Sequence, residues 1–254
     1  MRSLGPSFVP PSGRVLFAAI LLLFCVFPHC VPPVHAAEAP ERGFQRAALV
    51  LQRLAPGEPW EPVVIPRSME RDDRASALLH HSDTFFVLAS MAAEMDALGT
   101  TFLAAPHYAA LAYRLVGRDR DAARCMALYM EYSPYRAADG RFLVRSLYDA
   151  GDYTAMRAAA ARWQKAEGGC NEERLAYIWG SWMAQANYRE ARYAAQASRC
   201  SGWYPEILVL RAQTLAGETP DPDAALEFIL LNHPDSAANI QSLWTDLTSR
   251  LRYP

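Results

Sequence analysis

The sequence has almost no excess of either charge. It carries 25 Lys+Arg against 27 Asp+Glu, for a formal net charge of −2, so it lacks the basic field with which proteins hold nucleic acid. Glycine (13) and proline (18) are too few for a collagen-like or low-complexity chain. Since 52% of the residues are hydrophobic and 20% are charged, the chain has enough apolar side chains to form a buried core.

Signatures of catalysis are missing as well. The chain contains no G-x-S-x-G, no H-E-x-x-H and no G-x-x-x-x-G-K-[ST] sequence, and these are the motifs of serine hydrolases, zinc proteases and P-loop proteins. It also has no C-x-x-C, the motif of thioredoxin-like redox sites. The adjacent acids at 72–73 and 172–173 are typical of helix starts, where a carboxylate complements the helix dipole. We therefore predict no catalytic residues and no cofactor.

Histidine and carboxylate side chains are common metal ligands, and His80, His81 and Asp83 lie close together in the sequence. Neighbouring residues of a helix point about 100° apart, which prevents the two histidines from sharing an ion easily. We interpret this segment as a solvated helix end and predict no metal site. His107 stands alone, and we expect it on the surface or in a groove.

The first 36 residues have the pattern of a secretory signal peptide. Arg2 and Arg14 precede thirteen consecutive apolar residues at 15–27, and small or modest residues lead up to a predicted cleavage after Ala36. The apolar run is shorter than the roughly 20 residues that span a bilayer. An uncleaved anchor and a lipoprotein attached at Cys25 remain alternatives. We predict a periplasmic or secreted protein.

Export determines which cysteines matter. Cys25 and Cys30 leave with the leader, and Cys125, Cys170 and Cys200 remain. An oxidising compartment permits one disulfide among these three.

Helical periodicity dominates the rest of the chain. The apolar residues Phe44, Ala47, Ala48, Leu51 and Leu54 form one helical stripe. Four prolines then predict an extended connector over 55–67. A helix is expected over 84–98, capped by residue 82 or 83 and ended by the glycine at 99. No segment shows sustained strand alternation, so we predict an all-α fold with an N-terminal helix and connector (37–68) followed by a helical domain (69–254).

Three similar breaks recur within that domain. The small residues Gly117, Gly151 and Ala186 mark breaks that lie 34 and 35 residues apart, and a fourth break follows at 216–218. Each break lies between an apolar helical pattern and an alanine-rich one. A fixed period of this length indicates a repeat architecture.

These repeats resemble the tetratricopeptide repeat family, whose unit is a helix–turn–helix of about 34 residues. The first unit has Tyr113 at the family's aromatic position and Ala122 at its small position, and the third unit matches at Leu175, Trp182, Tyr188 and Ala191. The second unit is weaker, and prolines distort the fourth. The resemblance is clearest over 103–235. It implies an α-solenoid of antiparallel helix pairs, which we expect to end in a capping helix with Leu243, Leu247, Leu251 and Trp244. An ordinary helical bundle is the alternative.

The same repeat frame pairs two cysteines. Cys170 would precede the first helix of the third unit and Cys200 would follow its second helix, and these ends are neighbours in an antiparallel pair. The frame therefore implies a Cys170–Cys200 disulfide and leaves Cys125 as a buried free thiol.

In this family the first helices line a concave groove that holds a peptide or a partner helix. Transfer of the groove positions implies a carboxylate-binding arginine set with tyrosines beside it. The implied groove residues are His107, Arg114, Arg141, Arg145, Tyr148, Glu173, Met183, Tyr204 and Arg211.

The resemblance implies an exported interaction scaffold or assembly factor whose partner is another envelope protein or peptide. The alternative is an enzyme or small-ligand binder with a pocket between the N-terminal region and the repeats. Contact with a membrane is expected only through an uncleaved leader.

Overall fold

The computed structural model describes residues 39–249, and all regular secondary structure within that range is helical. The all-α prediction is confirmed. The predicted leader (1–36) and Leu251 lie outside the described residues. No helix within the described range is long and apolar enough to cross a membrane.

Twelve α-helices follow one another in the described residues. They are α1 Pro40–Leu54, α2 Asp73–Leu79, α3 Thr84–Leu98, α4 Ala105–Leu115, α5 Asp119–Tyr132, α6 Ala137–Asp149, α7 Tyr153–Glu167, α8 Glu172–Ala184, α9 Tyr188–Gln196, α10 Trp203–Leu215, α11 Pro222–Asn232 and α12 Ala237–Ser249. Short 3₁₀ helices lie at Arg67–Arg71, Gly99–Thr101 and Pro234–Ser236.

Equivalent turns close α4, α6 and α8. Gly117, Gly151 and Ala186 follow these helices with φ values of 71°, 75° and 53°. At the first turn the Arg118 amide donates to the Tyr113 carbonyl and the Gly117 amide donates to the Arg114 carbonyl. This pair of bonds defines the Schellman motif, which requires a residue in the left-handed region. The bonds recur at 151–152, 186–187 and 217–218, so the three predicted breaks, and the fourth, are equivalent ends of successive first helices.

Side-chain caps fix where several helices begin. The Asp83 carboxylate accepts a hydrogen bond from the Phe86 amide and Asp152 accepts one from Ala155. Asn171, Asn187 and Asp221 cap α8, α9 and α11 in the same way. These short polar side chains satisfy amide groups that the first turn of a helix leaves unpaired.

Consecutive helices pack against one another from α3 to α11. The pairs α6–α8, α8–α10 and α10–α12 also touch, so first helices contact first helices. Ala122 and Ala191 are fully buried, which lets the backbones of paired helices approach closely. The capping helix begins at Ala237, after a 3₁₀ turn, and buries Ile240. This order of contacts is the one that a stack of helical hairpins requires.

The proline-rich connector docks onto the first hairpin. Trp60 stacks on Tyr108 with ring centroids 4.9 Å apart, and the Tyr108 hydroxyl donates to the Glu61 carbonyl at 2.8 Å. The Glu61 carboxylate accepts from the Tyr129 hydroxyl at 2.9 Å and pairs with Arg136 at 2.6 Å. Because α1 shares a core with α3 to α7, the N-terminal segment and the repeats form one packed body.

The cysteines are arranged as the repeat frame implied. Cys170 and Cys200 form a disulfide with Cα atoms 4.6 Å apart. Cys170 lies just before the start of α8, and Cys200 lies in the turn between α9 and α10. The prediction is confirmed, and the bond fits an oxidising compartment. Cys125 is free and buried. Burial and the nearby Asp96 carboxylate raise the pKa of its thiol to about 12.

Candidate functional site

Three of the predicted groove arginines surround one open cleft. Arg114 extends from α4, and Arg141 and Arg145 extend from α6, into a space of about 610 Å³. Ala138 and Phe142 form part of its wall, and Glu58 of the connector lines it as well. We call this space the arginine cleft. It is the place where the first two hairpins and the connector meet.

Each of these arginines has an acidic neighbour. Arg114 holds Asp119 and Asp149, each at 2.6 Å. Arg141 contacts Glu173 at 2.9 Å, and Arg145 lies 4.0 Å from Asp149. The cleft therefore carries balanced charge, and an incoming carboxylate would have to replace an internal partner. The Arg141 and Arg145 side chains are 57% and 62% exposed, so they have room to change partner, whereas Arg114 is mostly enclosed.

Two of the predicted tyrosines line a second cleft of about 280 Å³, which we call the tyrosine cleft. Tyr148 comes from α6 and Tyr204 from α10, and Leu243 and Leu247 of the capping helix lie in the opposite wall. The cleft needs a small residue beneath Tyr148, because a Cβ atom added to Gly180 would lie 2.8 Å from the Tyr148 hydroxyl. The amphipathic rings present apolar surface together with hydroxyl groups.

Tyr177 lines the tyrosine cleft, senses the charges of Asp149 and Arg145 from the arginine cleft, and was missed by the sequence prediction. Its ring packs edge-on against Tyr148 at 5.3 Å. Burial raises the pKa of its hydroxyl, the negative charges of Glu173 and Asp149 add to that effect, and Arg145 opposes it. Tyr177 follows Glu173 by one helical turn, so that spacing would have identified it. We call the surface formed by the two clefts and Tyr177 the first-helix face.

Three predicted groove residues are buried, which corrects their assignment to an open surface. His107 is 2% exposed and its ring lies 4.9 Å from that of Tyr129. Met183 belongs to the core cluster with Trp179 and Ala191. Arg211 is buried too, and its Nε has no hydrogen-bond partner within the described residues. Burial lowers the pKa of both His107 and Arg211. These side chains point between layers of helices, so the predicted set of four arginines on one face is reduced to three.

Asp72 and His81 have structural roles. Asp72 caps α2 and forms ion pairs with Arg42 at 3.2 Å and with Arg46 at 3.3 Å. The His81 ring accepts a hydrogen bond from the Asp83 amide at 3.1 Å. Between residues 39 and 249, no three histidine, cysteine or acidic side chains are grouped so that they could hold a metal ion.

Searches of protein-family models, curated proteins and solved structures returned no match to this chain.

Proposed function

We propose that this protein is an exported interaction scaffold that holds a peptide or helix of an envelope partner on the first-helix face. The tetratricopeptide interpretation supports the proposal, because in that architecture the first helices present the binding surface. The observation that carries it is the position of Arg141, Arg145, Tyr148, Tyr177 and Tyr204. All five lie on first helices and line two open clefts, and α6 contributes side chains to both clefts.

The chemistry of the face defines the kind of partner segment. A guanidinium group binds a carboxylate through two parallel hydrogen bonds, and Arg141 and Arg145 are the exposed arginines of the cleft. The tyrosine cleft offers aromatic and aliphatic side chains nearby. The proposed ligand is a short segment with an acidic residue or a free carboxyl terminus beside a bulky apolar side chain. The ligand carboxylate competes with Glu173 for Arg141 and with Asp149 for Arg145.

The proposed location follows from two features of the chain. The first 36 residues have the order of a signal peptide, and the Cys170–Cys200 bond suits an oxidising compartment. Both features support the proposal that the mature protein acts in the periplasm or outside the cell.

A pair of charge-reversal variants tests the proposal. Wild-type protein, Arg141→Glu/Arg145→Glu and Arg120→Glu/Arg162→Glu are used to capture partners from envelope extracts, with quantification by mass spectrometry. Arg120 and Arg162 are exposed on the second helices α5 and α7, so the control changes the net charge equally. We expect a partner that wild type and control retain and that the variant loses at least tenfold. Equal capture by all three proteins would refute binding at the arginine cleft.

A further inference from the structure

A second, larger groove lies away from the first-helix face. It has a volume of about 680 Å³ and is formed by α9, α10 and α11 beside the disulfide residue Cys200. Most of its lining is apolar, from Pro205, Val209, Phe228 and Ile229 together with small side chains. None of the residues assigned to the first-helix face lines it, so the groove is a separate feature of the fold.

The helix beside this groove exposes bulky apolar side chains. Phe228 is 65% exposed and Leu231 is 74% exposed, while Ile229 is the one buried residue of α11. The residues at 224, 228 and 231 follow the i, i+4, i+7 spacing of one helical stripe. A continuous apolar surface thus runs from the floor of the groove, over Phe228, to the outer side of α11. Exposed apolar surface of this kind marks interaction sites.

The chain segment that forms one side of the groove is acidic. Residues 212–249 include six acidic side chains and no lysine or arginine. Asp223 and Glu227 lie one turn apart on α11, and neither has an ion-pair partner among the described residues. Glu206 on the groove wall pairs with the His233 ring at 3.2 Å, its one ion pair among the described residues. Arg192 pairs with Glu218 and so neutralises one of these six acids, whereas Arg199 lines a different cleft.

We propose that this groove docks a basic amphipathic helix from a partner protein. Bulky apolar residues of that helix at i, i+3 or i+4 spacing enter the groove between Val209 and Phe228, and its lysines or arginines lie over Asp223 and Glu227. Apolar anchors flanked by charges opposite to those of the groove are the general mode of helix-in-groove recognition.

The charge pattern selects this occupant over others. A second copy of the same face would bring the acids of α11 against one another, and like charges across an interface disfavour it. An anionic membrane surface would be repelled in the same way. A basic amphipathic helix satisfies both the apolar groove and the unpaired carboxylates, and this docking does not depend on the function of the first-helix face.

A model peptide tests the proposal directly. The probe is a fluorescein-labelled 14-residue peptide of leucine and lysine, patterned as an amphipathic helix and titrated with mature protein in 0.15 M salt while anisotropy is measured. Two control peptides replace lysine with glutamate or scramble the order of the same residues. We expect saturable binding of the patterned leucine–lysine peptide and at least tenfold weaker binding of both controls. Absence of saturable binding, or equal binding of the scrambled peptide, would overturn the proposal.

Matched variants locate the binding. Phe228→Ser/Leu231→Ser removes the apolar stripe, and Phe85→Ser/Phe86→Ser removes two exposed phenylalanines of α3. Asp223→Asn/Glu227→Gln is compared with Glu70→Gln/Glu131→Gln, which neutralises two exposed acids elsewhere. Phe228→Ser/Leu231→Ser should weaken peptide binding at least tenfold, and Asp223→Asn/Glu227→Gln at least fivefold. Each control should weaken it less than twofold, and all variants should unfold at the same temperature as wild type. Binding that survives both α11 variants, or that the controls weaken equally, would place the peptide elsewhere and refute the groove.

Discussion

Gly117 and Ala186 hold the same backbone turn in two different hairpins. Their φ values are 71° and 53°, and each donates its amide to the carbonyl three residues earlier. Glycine adopts this left-handed conformation without steric cost, whereas a residue with a Cβ atom is destabilised by about 1–2 kcal/mol. Ala186 is the only non-glycine residue with positive φ among residues 39–249, so one turn of the stack is strained where its counterparts are not.

We predict that Ala186→Gly raises the free energy of unfolding by about 0.5–1 kcal/mol, because relief of strain exceeds the added freedom of the unfolded chain. Gly117→Ala should lower it by about 1 kcal/mol, although no atom lies within 4 Å of the added methyl group. Urea unfolding of both variants measures these changes. Gly57→Ala is the control, because its site is also open but lies outside the left-handed region; destabilisation by Ala186→Gly would contradict the account.

The disulfide gives a second prediction. Cys170→Ser/Cys200→Ser should lower the free energy of unfolding by about 3–4 kcal/mol, since the bond closes a segment with a sequence separation of 30. A thiol count on mature protein checks the same structure. Native unreduced protein should react with no equivalent of a thiol reagent at pH 8, because Cys125 is buried and its pKa is about 12. Denatured protein should react with one equivalent before reduction and three after it; three before reduction would exclude the bond.

His107 is expected to make stability depend on pH. Burial lowers the pKa of its ring in the folded protein, and Arg136 adds to this, while Glu61 and Asp139 oppose it. Below the unfolded pKa of about 6.5, the unfolded chain binds a proton that the folded protein binds only at lower pH. Stability must therefore fall as pH falls through this range.

The variant His107→Phe removes this proton and should flatten the decline in stability between pH 7 and pH 5. The slope attributable to His107 is at most about 1.4 kcal/mol per pH unit. His80→Gln, at an exposed position, is the matched control for removal of a histidine. Equal slopes for wild type and His107→Phe, from urea unfolding at each pH, would show that His107 does not titrate on unfolding.

The proline-rich connector should become more susceptible to proteolysis when the Glu61 contacts with Arg136 and Tyr129 are weakened. Glu61→Gln deletes the charge that Arg136 binds at 2.6 Å and weakens the contact with the Tyr129 hydroxyl. We expect proteolysis within residues 55–66 to accelerate about tenfold, which corresponds to about 1.4 kcal/mol of lost docking energy. Glu58→Gln is the control, because Glu58 lies in the same connector and has no ion pair among the described contacts. Equal cleavage rates would show that Glu61 does not secure the connector.

Features with a local physical cause could be read from the sequence. Asp83 caps α3 and Gly99 ends it because both functions depend on a few neighbouring residues. The breaks at Gly117 and Gly151 were recognisable for the same reason.

Features that depend on tertiary packing could not be predicted from the sequence. Arg114 and Asp149 lie 35 residues apart and pair only because α4 and α6 are stacked. His107, Met183 and Arg211 were assigned to the groove by transferring positions from a degenerate motif, and a rotation of one residue along a helix exchanges an outer position for a buried one. The contacts of Glu61 with Tyr129 of α5 and with Arg136, just before α6, leave no periodic pattern in the sequence.

Photo-cross-linking tests the central claim most directly. A photoreactive benzoylphenylalanine replaces Ala138, which lines the arginine cleft and carries no charge, or Tyr132, which is exposed on α5. Both proteins are exported in living cells and irradiated. We predict one discrete partner adduct from position 138 and none from position 132. An adduct from position 132 alone, or none from either position, would contradict the assignment of the first-helix face as the binding surface.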